Sequence, residues 1–302
     1  MTTRALGPGA GIGWLKQGVN LGRNNPKAVF GGAVLLLLAV LLLAIGLTVL
    51  VGLLQAALNP GPGGSMALAL VVMVPILLLL AALMVGYLRL IDAVENGRAA
   101  RASDVFGAFR DTGTSVRAIG FVVLLAVVQN VLIFALIGLF AKDVGTWYLQ
   151  NMQASMSGAA PAPMTTLPDG FYIAFVVMLV ISLFGYAVQA IGLGQIALRR
   201  SSIGSALADG ISGAAKNLLP LLVLAVVVAV AGFVLLLAVG LLVMLVGVLA
   251  KIAGVWLGVV LGVPLYLAAL VAIYVVMFGV MYSVWRDVSG DDAAPRNDAV
   301  AA

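Results

Sequence analysis

The chain has 302 residues, of which 64% are apolar and 9% are charged, and its formal net charge is +5. A soluble domain is about 45–50% apolar and about 25% charged, and a disordered chain combines low hydrophobicity with high net charge, so both classes are excluded. The chain contains no Cys and no His, which excludes disulfides, thiolate and imidazole metal sites, and Ser-His or Cys-His catalysis. We therefore expect a membrane protein that is not an enzyme and has no cofactor.

Six apolar stretches follow one another along the chain, and each is long enough to cross a bilayer as a helix. A Pro- and Gly-rich turn at residues 59–65 separates the first two stretches, and the last two meet near Lys251. The predicted spans are residues 28–57, 66–88, 118–141, 171–198, 218–249 and 254–285. The predicted fold class is accordingly an all-α, polytopic membrane helical bundle with a membrane domain at residues 28–285.

Three segments lie outside these spans or connect them. Residues 1–27 are predicted to form an N-terminal arm with an amphipathic helix, residues 142–170 a connecting loop with Trp147 and Tyr148 at the membrane interface, and residues 286–302 a disordered tail.

Of the 16 basic residues, all but Lys142 and Lys251 lie on one side of the predicted membrane. Since Lys and Arg are enriched in cytoplasmic connections, this asymmetry predicts that both termini are cytoplasmic.

A short segment with helical periodicity precedes each pair of spans. Aligning Trp14-x3-Gly18, Phe109-x3-Gly113 and Ala206-x3-Gly210 gives steps of 95 and 97 residues. The middle segment has Ser103 as its predicted N-cap, and its apolar face continues through Thr112, Gly113 and Val116. The spacing predicts three repeats of one unit, an interfacial helix followed by a helical hairpin.

These interfacial segments have two interpretations. In the first they lie at the headgroup boundary and only set the angle at which the next span enters the membrane. In the second they form a basic cytoplasmic surface that binds anionic lipid or a protein partner. The candidate lipid-facing residues are Trp14, Lys16, Arg23, Lys27, Phe106, Phe109 and Arg110.

No ionisable residue lies well inside a predicted span, which argues against proton relays and charge-coupled transport. Uncharged polar side chains do occur in the third and fourth spans, where Gln129 and Gln189 are predicted at similar depth. They either hydrogen-bond between helices or line a pathway for a neutral or amphipathic solute. This candidate polar cluster consists of Gln129, Asn130, Gln189 and Gln195.

The sixth span opens with glycines at every fourth position, Gly254, Gly258 and Gly262. Such a stripe places small residues on one helix face and permits close approach of another helix. We expect it to pack against another span of the same chain or, alternatively, to form a contact in a homo-oligomer.

The segments before the odd-numbered spans also carry a family resemblance. They resemble bacterial six-span inner-membrane proteins without an established reaction, a family related to the membrane domain of glycerophosphodiester phosphodiesterases. The matching segments are Trp14-Leu15-Lys16-Gln17-Gly18 with Asn25-Pro26, Ala102-Ser103-Asp104-Val105-Phe106, and Asn217-Leu218-Leu219-Pro220. The resemblance implies a bacterial cytoplasmic membrane, but the phosphodiesterase activity would belong to a separate soluble domain. It assigns no catalytic or binding residue.

Two functions are consistent with these patterns. The first is a non-enzymatic membrane protein whose basic cytoplasmic helices interact with membrane lipids or a protein partner and not with nucleic acid. The alternative is a transporter or channel for a neutral or amphipathic solute that uses the region of Gln129, Asn130 and Gln189. A water-accessible cavity lined by these side chains would favour the alternative, and a close-packed interior would argue against it.

Overall fold

The computed structural model describes residues 3–156 and 166–289. Within these ranges the chain forms nine α-helices and one 3₁₀ helix, and six of the α-helices are long and apolar enough to cross a membrane. The all-α polytopic bundle is thereby confirmed. The helices are α1 (Ala10–Val19), α2 (Pro26–Leu58), α3 (Pro62–Glu95), the 3₁₀ helix (Ala102–Arg110), α4 (Thr112–Phe140), α5 (Lys142–Met156), α6 (Phe171–Arg199), α7 (Ile203–Lys216), α8 (Leu218–Ala253) and α9 (Val255–Ser289).

The long helices pair as three antiparallel hairpins, α2 with α3, α4 with α6, and α8 with α9. The second helix of each hairpin also contacts the other two second helices, so that α3, α6 and α9 form the centre of the molecule. The core lies mainly in the C-terminal halves of these three helices, where Ile91, Ile191 and Phe278 are buried. The helices α3, α6 and α9 all end at the same end of the bundle. We call this end the basic end.

The remaining halves of the long helices carry many exposed apolar side chains. In α8, for example, Val226, Leu236 and Met244 are all exposed. In water such a surface would be strongly unfavourable, whereas hydrocarbon chains of a bilayer solvate it. The distribution of burial therefore agrees with a protein whose hairpins extend from a packed end into lipid.

The helix α1, the 3₁₀ helix and α7 lie at the basic end, and each packs mainly on a hairpin other than the one that follows it. The 3₁₀ helix contacts α2 and α3, and α7 contacts α4 and α6, which in both cases is the preceding hairpin. The helix α1, which is the first of the described helices, contacts α8 and α9, the third of the described hairpins. The three hairpins, together with α1, the 3₁₀ helix and α7, thus form a closed ring.

Close backbone approach at glycines fixes these contacts. A Cβ added at Gly86 of α3 would overlap the carbonyl oxygen of Val105 in the 3₁₀ helix. A Cβ at Gly18 of α1 would lie 2.8 Å from the carbonyl oxygen of Val276, and one at Gly210 of α7 would lie 2.9 Å from that of Val188. Only glycine allows the backbones to approach this closely without displacing a neighbour.

A polar residue begins the first helix of each hairpin and contacts the segment that leads into the next short helix. Asn25 and Asp111 cap α2 and α4 by accepting hydrogen bonds from backbone N–H groups. Asn217 precedes α8 and is buried. The three contacts are Asn25 Nδ2 to the Ala100 carbonyl at 3.2 Å, Asp111 Oδ2 to Arg200 Nη2 at 3.7 Å, and Asn217 Nδ2 to the Arg4 carbonyl at 2.8 Å.

Some predicted boundaries are wrong. The turn predicted at residues 59–65 comprises only residues 59–61, because Pro62 is the first residue of α3, a position where proline fits a helix. The predicted loop at residues 142–170 begins with the 15-residue helix α5, whose first turn contains Asp143. An acidic residue there interacts favourably with the helix dipole. Residues 157–165 of that loop lie outside the described residues, and residues 166–170 are described and not helical.

The middle interfacial segment differs from its prediction in the same way. Its helix begins at Ala102, so Ser103 is the second helical residue and not the N-cap. It ends at Arg110, because Asp111 starts a new helix in which Thr112, Gly113 and Val116 lie. At the C-terminal end, α9 continues to Ser289, so residues 286–289 of the predicted disordered tail are helical. Residues 290–302 are outside the described part of the chain.

Candidate functional site at the basic end

The contact between α1 and α9 is anchored by Trp14. Its indole ring is fully buried, and Nε1 donates a hydrogen bond to Asp287 Oδ2 at 3.1 Å. Next to it, Arg286 Nη2 donates to Gln17 Oε1 at 2.7 Å. The prediction that Trp14 faces lipid is therefore wrong, because the ring gains apolar burial on α9 together with a partner for its polar atom.

Three basic side chains on α1, just after it and at the start of α2 are exposed. Lys16, Arg23 and Lys27 are exposed, and within the described part of the chain none of them is in an ion pair. Asp92 is the first acidic residue in the sequence, so α1 and the start of α2 bring no carboxylate of their own to this surface. We call Lys16, Arg23 and Lys27 the N-terminal basic patch.

The 3₁₀ helix presents aromatic rings and one further cation. Phe106 is partly buried against the core, whereas Phe109 is 45% exposed. The two rings are stacked with their centroids 6.4 Å apart, and Arg110 beside them is exposed. An exposed aromatic side chain next to a basic one is typical of helices that lie at the headgroup boundary.

An ion pair between α3 and the start of α4 forms the second basic site. Arg89 Nη2 donates to Asp111 Oδ2 at 2.8 Å, and Arg89 Nε donates to the Ala197 carbonyl at 2.8 Å. Asp111 also accepts from the Thr114 backbone N–H at 3.2 Å and from Thr114 Oγ1 at 2.9 Å. The hydrogen bonds from Arg89 and then from Thr114 lower the pKa of the Asp111 carboxyl to about 2.

Two more arginines lie beside this ion pair. Arg117 Nη1 donates to the Arg200 carbonyl and, at 3.3 Å, to the Ser201 carbonyl. The Arg200 side chain is 73% exposed, and its Nη2 lies 3.7 Å from Asp111 Oδ2, which is within ion-pair range but beyond a hydrogen bond. We call Arg89, Arg117 and Arg200 the arginine cluster. The guanidinium groups of Arg89 and Arg200 lie at the Asp111 carboxylate, and Arg117 Nη2 donates to Thr114 Oγ1 at 3.4 Å.

Another arginine at the basic end, Arg98, is neutralised by a carboxylate. Arg98 forms an ion pair with Asp92. The same carboxylate accepts a hydrogen bond from the Tyr282 hydroxyl at 3.0 Å, which connects α3 to α9. Charge at the basic end is therefore balanced at Arg98 and unbalanced at the N-terminal basic patch and the arginine cluster.

The predicted polar cluster inside the membrane is not formed, because its four side chains have four different neighbours. Asn130 is exposed and bonds to a carbonyl of its own helix, whereas Gln195 is fully buried. The contacts are Gln129 Nε2 to the Ile181 carbonyl at 3.5 Å, Asn130 Nδ2 to the Ala126 carbonyl at 2.8 Å, Gln189 Nε2 to Met84 Sδ at 4.0 Å, and Gln195 Nε2 to Ser289 Oγ at 3.4 Å. Three of these contacts link neighbouring helices, as expected for interhelical hydrogen bonding.

The glycine stripe of the sixth span also differs from its prediction. Gly254 lies between α8 and α9 with a φ of +102°, so it forms the link and not the helix face. A Cβ at Gly262 would have no neighbour within 4 Å. Gly258 and Gly262 instead line a cavity of about 350 Å³ between α8 and α9, together with apolar side chains such as Val243 and Leu265. The expected close packing with another span of the chain is therefore absent at Gly262.

Comparison of the chain with protein-family models, with curated proteins and with solved structures finds no match. The resemblance to the six-span inner-membrane proteins thus stays a prediction.

The arginine cluster is not among the predicted site residues. Its members lie at the ends of different spans, and they meet because the second hairpin, α4 with α6, packs beside α3. The only local signal was the position of Arg89, Arg117 and Arg200 at the ends of apolar stretches on the basic side. Nothing in the sequence pairs them with Asp111.

Proposed function

We propose that the protein is a multi-pass, non-enzymatic protein of the bacterial cytoplasmic membrane whose basic end binds anionic phospholipids. The N-terminal basic patch carries this proposal, because α1 is fixed on α8 and α9 by the buried Trp14 while Lys16, Arg23 and Lys27 stay exposed. With both termini in the cytoplasm, this patch faces the leaflet that attracts basic segments. Lipid headgroups are its partners, and no cofactor is involved.

The expected strength follows from the charge. A Lys or Arg near an anionic membrane surface contributes about 1 kcal/mol, so that the three residues of the patch contribute about 3 kcal/mol together. Within the described residues, the side chains of the N-terminal basic patch form no ion pair, so none has to be broken before the patch binds lipid. Since the field of the surface decays over about 8 Å at physiological salt, the interaction requires that α1 lies close to the headgroups.

We also propose that the three units of the ring are copies of one ancestral hairpin with its short helix. The supporting register differs from the one predicted. It aligns Gly18, Val105 and Gly210, which lie at the three close backbone contacts, and places each six or seven residues before Asn25, Asp111 or Asn217. This register uses contacts that no sequence alignment of short apolar segments could show.

The alternative function, a transporter or channel for a neutral or amphipathic solute, requires polar side chains that line a common space. Gln129, Asn130, Gln189 and Gln195 each have a separate neighbour. The cavity between α8 and α9 is lined by apolar residues, glycines and Tyr266. No contact of these residues supports a solute pathway over lipid binding.

Lipid selectivity tests the proposed function. The protein is reconstituted in mixed phosphatidylcholine and phosphatidylglycerol bilayers, and its association with spin-labelled forms of each lipid is measured by electron paramagnetic resonance. Replacing Lys16, Arg23 and Lys27 together by Gln should remove most of the preference for phosphatidylglycerol, as should high salt. The control replaces Lys142 and Lys251, which are distant from the basic end, and should change the preference less.

An unchanged preference in the triple variant would contradict the proposal.

Orientation is tested separately by cysteine labelling, for which the chain is suited because it has no native Cys. Thr146 in α5 and Ser205 in α7 are exposed and lie at opposite ends of the bundle. In intact cells, an impermeant thiol reagent should label Thr146→Cys and should label Ser205→Cys only after lysis. Labelling of Ser205→Cys in intact cells would reverse the proposed topology.

A further inference from the structure

We propose that the arginine cluster is a specific site for one anionic phospholipid, whose phosphate is bound by Arg117 and Arg200. This inference rests on the proposed function and deepens it, because it adds a saturable site to the diffuse attraction of the N-terminal basic patch. The ligand chemistry is that of a phosphate group bound between guanidinium groups. Planar arginine side chains are well suited to bind phosphate because they can donate two parallel hydrogen bonds to it.

The charge of the cluster is the first argument. Asp111 already accepts hydrogen bonds from Arg89 and from both the N–H and the hydroxyl of Thr114. Arg200, at 3.7 Å from the same carboxylate, makes no hydrogen bond with its guanidinium among the described residues. Asp111 is thus shared by Arg89 and Arg200, and Arg117 forms no ion pair within the described residues. The three arginines and the one carboxylate leave an excess of two positive charges, which an anion would neutralise.

The arrangement of the donors is the second argument. The Arg117 guanidinium, from α4, donates to the backbone carbonyl of Arg200, just after α6, so it lies against the residue that carries the Arg200 side chain. Arg89 is fixed behind them by Asp111 and by the Ala197 carbonyl. The exposed Arg200 guanidinium is thus free to turn towards a ligand, while the rest of the cluster is held in place before binding.

The depth of the cluster is the third argument, and it selects a lipid over a soluble phosphate. Arg117 lies in the second turn of the candidate span Thr112–Phe140, and Arg200 directly follows the candidate span Phe171–Arg199. Both positions correspond to the boundary between hydrocarbon and headgroups. A phospholipid places its phosphate at this depth and its acyl chains along the apolar helices. The excess positive charge favours a headgroup without a compensating choline or amine.

The test counts retained lipids by native mass spectrometry of the purified full-length protein titrated with phosphatidylglycerol. The unsubstituted protein should retain one phosphatidylglycerol more tightly than phosphatidylcholine or diacylglycerol, the latter of which has no phosphate. Loss of a charge-assisted hydrogen bond in Arg200→Gln should weaken this site about tenfold or more. Arg98→Gln is the matched control, because Arg98 is exposed at the same end but is already paired with Asp92.

The two proposals fail in different ways. The triple variant of Lys16, Arg23 and Lys27 should keep the tightly held lipid while losing the general preference for anionic lipid, and Arg200→Gln should show the reverse. Equal retention of phosphatidylglycerol by Arg200→Gln would overturn the site, and so would equal retention of all three lipids by the unsubstituted protein. Displacement of the lipid by millimolar inorganic phosphate would overturn the assignment to a lipid and favour a free phosphate.

Discussion

The carbonyl oxygen of Val105 occupies the space in which a side chain of residue 86 would lie. At the residue scale, the basic end depends on such contacts and on a few polar side chains with distant partners. Trp14 and Asp287 are separated by 273 positions, so the burial of Trp14 could not be predicted from its local pattern. Lys16, Arg23 and Lys27 are exposed, as local sequence suggests, because an unpaired charge is costly to bury anywhere; that they face lipid stays a prediction.

Gly86→Ala is expected to destabilise the protein by roughly 1–3 kcal/mol, the usual range for overpacking a close contact. The added Cβ would meet backbone, which cannot move aside as a flexible side chain could. The midpoint of thermal unfolding in detergent measures the effect. Gly46→Ala in α2 is the control, because a Cβ there has no neighbour within 4 Å and should not lower stability. Equal midpoints for both variants would show that the 3₁₀ helix is not closely packed on α3.

The Asp111 carboxyl predicts an acid-sensitive contact between α3 and α4. Its pKa is lowered from 3.8 to about 2 in the folded protein, so its stabilising effect is complete above about pH 5 and is lost as the pH falls through 4 towards 2. Asp111→Asn should therefore be less stable than the unsubstituted protein at neutral pH, and the difference should shrink between pH 4 and 2. Unfolding midpoints across this range measure it, and a pH-independent difference would contradict the assignment.

At the scale of elements, the six long helices were predictable because apolar length is a local property of the sequence. The segments that connect these helices were less predictable. Pro62 can begin a helix as readily as it ends one, and α5 has too few apolar residues to form a predicted span. The pairing of each short helix with a particular hairpin depends on contacts such as that of Gly18 with Val276. These residues lie far apart in the sequence, and no local periodicity connects them.

Asn217 is expected to hold the N-terminal segment in place for the docking of α1. Its side chain accepts from the Leu6 N–H at 2.9 Å and donates to the Arg4 carbonyl at 2.8 Å. Two hydrogen bonds of about 1 kcal/mol each correspond to roughly thirtyfold faster local opening when both are lost. Hydrogen–deuterium exchange of residues 3–19 in Asn217→Ala measures this opening.

Asn151→Ala is the control for that measurement, because Asn151 donates to a carbonyl of its own helix, α5. It should leave exchange at α1 unchanged. Unchanged exchange in Asn217→Ala as well would show that α1 is held by its apolar contacts alone.

At the scale of the whole molecule, the first described residues meet the last. The Arg4 N–H donates to the Val288 carbonyl at 2.9 Å, and α1 covers α8 and α9. The stability of the third hairpin at the basic end is therefore coupled to a helix at the other end of the sequence. This closure was not predictable, since each interfacial helix was expected to accompany the hairpin that follows it.

Trp14→Ala should open this ring. Truncating a fully buried aromatic side chain costs about 3–5 kcal/mol, and the loss should raise exchange in α1 and in residues 275–288 of α9 together. The contacts of the 3₁₀ helix with α2 and α3 should remain protected. Trp256→Ala is the control, because Trp256 is 63% exposed and its loss should have little effect. Faster exchange in α1 without any change in α9 would show that the two are not coupled.

The placement of α1 also sets an order of events during synthesis. The residues that receive this helix, among them Pro220, Val276 and Gly279, follow it by more than 200 positions. While the ribosome is still adding the first five long helices, α1 has no complete docking surface and its tryptophan has no carboxylate partner. Among the described helices, α1 is consequently made before the helices that receive it and docks only after they are in place. A nascent chain halted before α9 would display an undocked, basic α1 at the membrane surface.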